Sequence, residues 1–164
     1  MCRFSIDKSM NQTRGFTLIE IIIVIGIVLL LSGGGAVVMN AFNQRQQVTT
    51  TATNIVGSLS EAKANALAGK KSAASCSGKT LDGWRVNITS GLGGGVTVTG
   101  VCGGIPFDSQ TQVFPVGVTT VGVSQVIYKP LGLGATVTGG PTLIVTGRSP
   151  SVTLNISADG GVSQ

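Results

Sequence analysis

The sequence predicts an α+β protein in which one long amino-terminal helix is laid on a small antiparallel β head. Three observations predict it. Residues 16–31 are apolar apart from Thr17, Glu20 and Gly26. Apolar residues then recur at helical spacing as far as residue 66. From Ser72 onward the chain turns to short β-rich runs separated by glycine.

Taken in order, residues 1–15 form a short charged leader with Arg3, Lys8 and Arg14 set against Asp7. A helix over residues 16–39 would be about 36 Å long at roughly 1.5 Å per residue, enough to cross a hydrocarbon core of about 30 Å. The basic leader keeps its own side in the cytoplasm, so everything after the helix is exported. A secretory signal peptide shares the basic and apolar regions and would be cut at small residues such as Ser32 to Ala36. Glu20 argues against that alternative. An acid at membrane depth costs about 2.5–3.5 kcal/mol, and a disposable signal has no use for one.

Arg14-Gly15-Phe16-Thr17-Leu18-Ile19-Glu20 resembles the processing motif of type IV pilin precursors and type II secretion pseudopilins. The resemblance implies that prepilin peptidase cuts between Gly15 and Phe16, that Phe16 becomes an N-methylated terminus, and that Glu20 serves filament assembly. It implies partners too: the peptidase, other pilin or pseudopilin subunits, and an inner-membrane assembly platform. It places the chain as a single-pass protein of the bacterial inner membrane, its head outside the cytoplasm, before it enters a pilus or pseudopilus. The charges agree with this. A free amine at Phe16 lies about one helical turn from the Glu20 carboxylate, so the acid of one subunit can neutralise the terminus of a neighbour inside an apolar bundle, where an unpaired charge is costly.

Ser32-Gly33-Gly34-Gly35 interrupts the helix-forming run. Each glycine costs about 0.8–1 kcal/mol relative to alanine, so a bend or local unwinding is expected there. Close packing against another helix through small residues is the alternative. Over residues 40–70 the helix becomes amphipathic, with Val48, Ala52, Ile55, Leu59, Ala62 and Ala66 at spacings of four and three. Gly69, followed by Lys70 and Lys71, reads as its end.

Residues 71–164 form the head. Strands are expected at 73–76, 84–89, 96–102, 112–116, 118–123, 125–129, 136–138, 142–146 and 151–157. Trp84, Val86 and Ile88 share one face, as do Val152, Leu154 and Ile156, and these faces can bury the helix stripe. A second, looser resemblance rests on Leu59, Ala62, Ala66, Cys76, Gly83-Trp84, the run Tyr128 to Gly132, and Asp159 to Val162. These are similar to the H-type minor pseudopilin and FimT-type pilin group. That likeness implies a two-sheet head and a minor place in a filament.

Composition excludes several function classes. Charged residues make up 10% of the chain, and there is no histidine, which removes the commonest general base and metal ligand. The formal charge of +5 includes +2 in residues 1–15, leaving +3 for the rest. Of Cys2, Cys76 and Cys102, the last two lie in the exported part, where a bridge between them is expected; two buried thiols are the alternative. Asp82 and Asp159 stand beside glycine and read as turn residues. No catalytic residue, cofactor or metal is expected. A DNA receptor is a competing function, yet the carboxyl end Gly160-Gly161-Val162-Ser163-Gln164 lacks the arginines of the DNA-binding relatives. The head's cations are also scattered, as nucleic-acid affinity does not favour. An uncleaved membrane-anchored domain is the third reading.

Overall fold

The structure, a computed structural model, describes residues 15–91, 93–148 and 151–164, and for residues 32–38 the backbone alone. The chain forms two compact units, Met1–Met39 and Asn40–Gln164. Helix α1 (Leu18–Leu67) contributes to both.

In the first unit, the helix spans the expected apolar run. The helical bounds include Ser32–Gly35 without interruption, and the side chains there, like the leader residues 1–14, lie outside the described residues. Among the described residues no helix is long and apolar enough to cross a membrane. The described side chains of the apolar run cover Leu18–Leu31, about 21 Å of helix at roughly 1.5 Å per residue, and the span expected over 16–39 also takes in residues 32–38, whose side chains lie outside the described residues.

In the second unit, α1 carries the predicted stripe, and all six of its residues are buried. The helix stops at Leu67 rather than continuing to residue 70. Gly69 takes φ 61°, its N–H bonds the Ala66 carbonyl at 3.1 Å, and the Lys70 N–H bonds that of Asn65 at 2.9 Å. This is a Schellman end, and glycine supplies the left-handed residue it needs.

The strands are β1 (Leu81–Thr89), β2 (Gly95–Cys102), β3 (Ile105–Val113), β4 (Thr119–Gly122), β5 (Gln125–Tyr128), β6 (Ala135–Thr138), β7 (Thr142–Thr146), β8 (Val152–Ile156) and β9 (Val162–Ser163). They make two antiparallel sheets, a five-stranded one in the order β3-β2-β1-β5-β6 and a four-stranded one in the order β4-β7-β8-β9. Register explains the core. Trp84, Val86 and Ile88 oppose Gly100, Val98 and Val96, so one face of β1 and β2 is continuously apolar. Leu143, Val145, Leu154 and Ile156 do the same for the second sheet, and all these residues join the helix stripe in one cluster.

Three expectations are corrected. Residues 73–76 are not a strand: residues 73–78 are turns, with the Cys76 N–H bonded to the Ser72 carbonyl at 2.9 Å. Residues 112–116 are not a separate strand either. β3 begins at Ile105 and ends at Val113, and Phe114 follows it with its N–H on the Gly94 carbonyl. Pro106 and Asp108 disguise the strand's start, and both are tolerated because β3 is an edge: proline needs no partner there, and Asp108, at φ 50°, sits in a bulge. Asp82 is not a turn residue. It lies in β1, where its Oδ2 accepts the Gly104 N–H at 2.7 Å and braces the hairpin that joins β2 to β3.

Tyr128 ties the end of β5 to the carboxyl-terminal turn through its hydroxyl, which donates to the Gly160 carbonyl at 3.1 Å. Burial first, and the Asp159 charge second, push its phenol up to about 12. The unfolded phenol titrates at about 10, so the unfolded chain gives up this proton first. The contribution to stability is whole below pH 10 and is lost as pH rises toward 12, at up to about 1.4 kcal/mol per pH unit. Urea unfolding between pH 9 and 11.5 should therefore show a steeper alkaline decline for the native chain than for Tyr128→Phe. Equal slopes would contradict the assignment.

Candidate functional site

The amino-terminal site is built by a helix start. Thr17 precedes α1 and accepts the Glu20 N–H twice, through its Oγ1 at 3.4 Å and its carbonyl at 3.1 Å, and its carbonyl also takes the Ile21 N–H at 3.3 Å. Thr17-Leu18-Ile19-Glu20 is thus a capping-box sequence, with threonine at the cap and the acid three residues on. Sequence reasoning assigned Glu20 to pairing alone and missed this. The signal was legible, since Ser or Thr followed three residues later by Glu, ahead of an apolar run, is a helix-start pattern. Glu20 is the acidic residue of the first turn. There it opposes the partial positive charge of the helix terminus.

The described residues around this cap, 15–20, are all exposed. Gly15 is exposed, and a Cβ built on it would meet nothing within 4 Å. Phe16 is 78% exposed, and every large apolar residue from Leu18 to Leu31 is at least half exposed. Exposure on this scale is a large unmet burial for aliphatic side chains. The chemistry on offer is a peptide bond just ahead of a capped helix, and a carboxylate one turn beyond it.

Residues 10–36 match the prokaryotic N-terminal methylation motif. The match contains Gly15, Phe16 and Glu20 and stops short of the head. No curated protein and no solved structure matches the chain.

In the head, Cys76 and Cys102 are joined, with their Cα atoms 5.4 Å apart. Among the described residues no group of three or more His, Cys, Asp or Glu could hold a metal ion. Two cations of the second unit sit in ion pairs with head carboxylates, Lys63 with Asp159 at 3.6 Å and Lys70 with Asp108 at 3.2 Å. Lys71 instead donates to the Lys79 carbonyl at 3.4 Å, and Arg85 lies in the middle of β1. Arg148 is described, while its neighbours Ser149 and Pro150 are outside the described residues.

The carboxylates are likewise spread. Asp159 lies in the turn at 158–159, and its carboxyl is held below the usual range, first by the Ser157 hydroxyl and then by backbone N–H groups and Lys63.

Proposed function

We propose that this chain is a type IV pilin-like structural subunit made as a precursor. Residues 1–15 are its leader, residues 16–39 anchor it in the bacterial inner membrane and then line a filament core, and residues 40–70 carry that helix into a β head of residues 71–164. Prepilin peptidase cleaves between Gly15 and Phe16, Phe16 is N-methylated, and an inner-membrane platform assembles the chain with other subunits into a pilus or a type II secretion pseudopilus. The looser likeness of the head to the H-type and FimT-type group favours a minor subunit over the bulk one. No catalytic role is assigned to the head.

The observation that carries this reading is the methylation-motif match over residues 10–36, which brackets an unhindered Gly15-Phe16 bond. The exposed aliphatic helix supports it, because subunits that bundle these helices would bury that surface together. So does the position of Glu20. Cleavage would add a positive amine next to the positive end of α1, and an acid within one turn offsets both.

Expression with a prepilin peptidase tests the reading. Intact-mass measurement should find a chain beginning at methylated Phe16, and Gly15→Val should leave at least nine-tenths of the protein as precursor. Glu20→Ala should be processed yet fail to enter filaments. A mature terminus at any other residue would refute the assignment.

A further inference from the structure

The edge formed by β3 is defended along only half of its length. In the first half, Pro106 removes a donor, and Asp108 sits in the bulge and pairs with Lys70. From Ser109 to Val113 the strand has neither proline nor charge. Natural edge strands are usually blunted by such devices, so an undefended stretch is informative.

Its backbone is available. The Phe114 N–H bonds the Gly94 carbonyl at 2.8 Å, and a Cβ on Gly95 would collide with the Gln112 carbonyl, so Phe114 and Gln112 turn their polar groups toward β2. By alternation, Thr111 and Val113 turn their N–H and C=O groups outward, on the side where the five-stranded sheet ends at β3. Val113 is 68% exposed and Val116 92% exposed, and a cleft of about 420 Å³ separates Val113 and Pro115 from Gln46, Thr50 and Asn54 of α1.

Charge decides what can approach this surface. Residues 40–164 hold eight Lys or Arg and four Asp or Glu, a formal +4, so two heads repel in most orientations. Yet α1 has no charged residue from Gln46 to Ser60, and none occurs from Ser109 to Val118. This is a face on which a second copy meets no like charge.

We propose that Ser109–Val113 is a self-pairing strand: a second copy adds its own β3 in antiparallel register about a two-fold axis at Thr111, making one sheet continuous across two heads. That register sets Thr111 opposite Thr111 and Ser109 opposite Val113, and so uses the whole undefended stretch. It satisfies the outward groups of Thr111 and Val113 in both copies and covers part of the exposed Val113. The pairing concerns the head alone and does not depend on cleavage at Gly15.

Site-specific oxidation tests it on the full chain in detergent micelles, in a Cys2→Ser background. Directly opposed residues in such a pair have Cα atoms about 5.5 Å apart, within disulfide range, so Thr111→Cys should give a dimer linked 111 to 111 by peptide mapping. Its yield should exceed that of Asn155→Cys, an exposed position on β8, by at least fivefold. Adding Val113→Pro, which removes an outward donor without touching the ladder to β2, should reduce the yield at least fivefold. Val113→Lys, which keeps the donor but brings charge to the pair, should reduce it as well. Unchanged Trp84 fluorescence would report that these variants remain folded. A Thr111→Cys yield no higher than the Asn155→Cys control, or one unaffected by both Val113 variants in folded protein, would overturn the proposal.

Discussion

Trp84→Ala is expected to lower the stability of the head by about 3–5 kcal/mol, the usual range for deleting a buried aromatic side chain. Trp84 is 1% exposed and stands where three parts of the head converge. Its Nε1 donates to the Lys70 carbonyl at 3.3 Å, one residue beyond the glycine that ends α1, so the indole fastens the helix end to β1. The Phe107 ring meets it edge-on at 5.5 Å between centroids, bringing in the edge strand β3. Phe107 in turn covers Gly100, the cross-strand partner of Trp84, and a Cβ at Gly100 would collide with that ring. The glycine therefore makes room for the aromatic pair, and neither ring can be shortened without opening a void. Lys70 Nζ closes the stack from outside at 5.4 Å from the indole while pairing with Asp108. Urea unfolding followed by far-ultraviolet circular dichroism would measure the loss, and Trp84→Phe should recover most of it, leaving a deficit of about 1–2 kcal/mol for the hydrogen bond and the smaller ring. A loss below about 1 kcal/mol for alanine would show that Trp84 is not the keystone its contacts imply.

What the sequence made legible follows the strength of local periodicity. The six-residue helix stripe stands out because spacings of four and three persist over five turns, and the structure buries all six. Residues 142–146 are bounded by Gly140-Pro141 and Gly147 and emerge as β7 with the same limits. Where local preference and tertiary pairing disagree, the reading fails. Pro106 and Asp108 argue against a strand, yet pairing of Ile105 with Cys102 and of Phe107 with Gly100 outweighs them at an edge. Cys76 sits among Ala, Ser and Gly, none of them a strong strand former, and in the short stretch between the helix end and β1 they coil into turns. Strand order was beyond reach as well. β1 lies between β2 and β5, so a strand nearly 40 residues distant in sequence becomes its neighbour, and the intervening β4 joins the other sheet. At the amino terminus the motif was plain, whereas the cap formed by Thr17 was hidden behind the more conspicuous acid.

Replacing both Cys76 and Cys102 by alanine is expected to cost the head about 3.5 kcal/mol. Their sequence separation is 26 residues, and closing a loop of that length removes about 12 cal/mol/K from the unfolded ensemble in the chain-entropy treatment. The native state gives a second reason to expect a large effect. Cys102 ends β2 and is fixed by pairing with Leu81 and Ile105, whereas Cys76 lies in turns that no ladder holds. The bridge is thus the one covalent tie on residues 73–78, which otherwise rely on a few local bonds such as Cys76 to Ser72 and Lys79 to Cys76. Release should be felt first there, and the loop carries Lys70 and Lys71 at one end and Lys79 at the other. Trypsin should therefore cut the double variant at these lysines well before the rest of the head, while the oxidised native chain resists. Reduction of the native protein should reproduce both the stability loss and the cleavage pattern, because each removes the same constraint. If the double variant melts with the native chain, the turns hold themselves and the bridge adds nothing to the fold. If it is destabilised while trypsin cleaves elsewhere first, the bridge acts through the unfolded chain alone and the loop is anchored by the Trp84 contact to Lys70 instead.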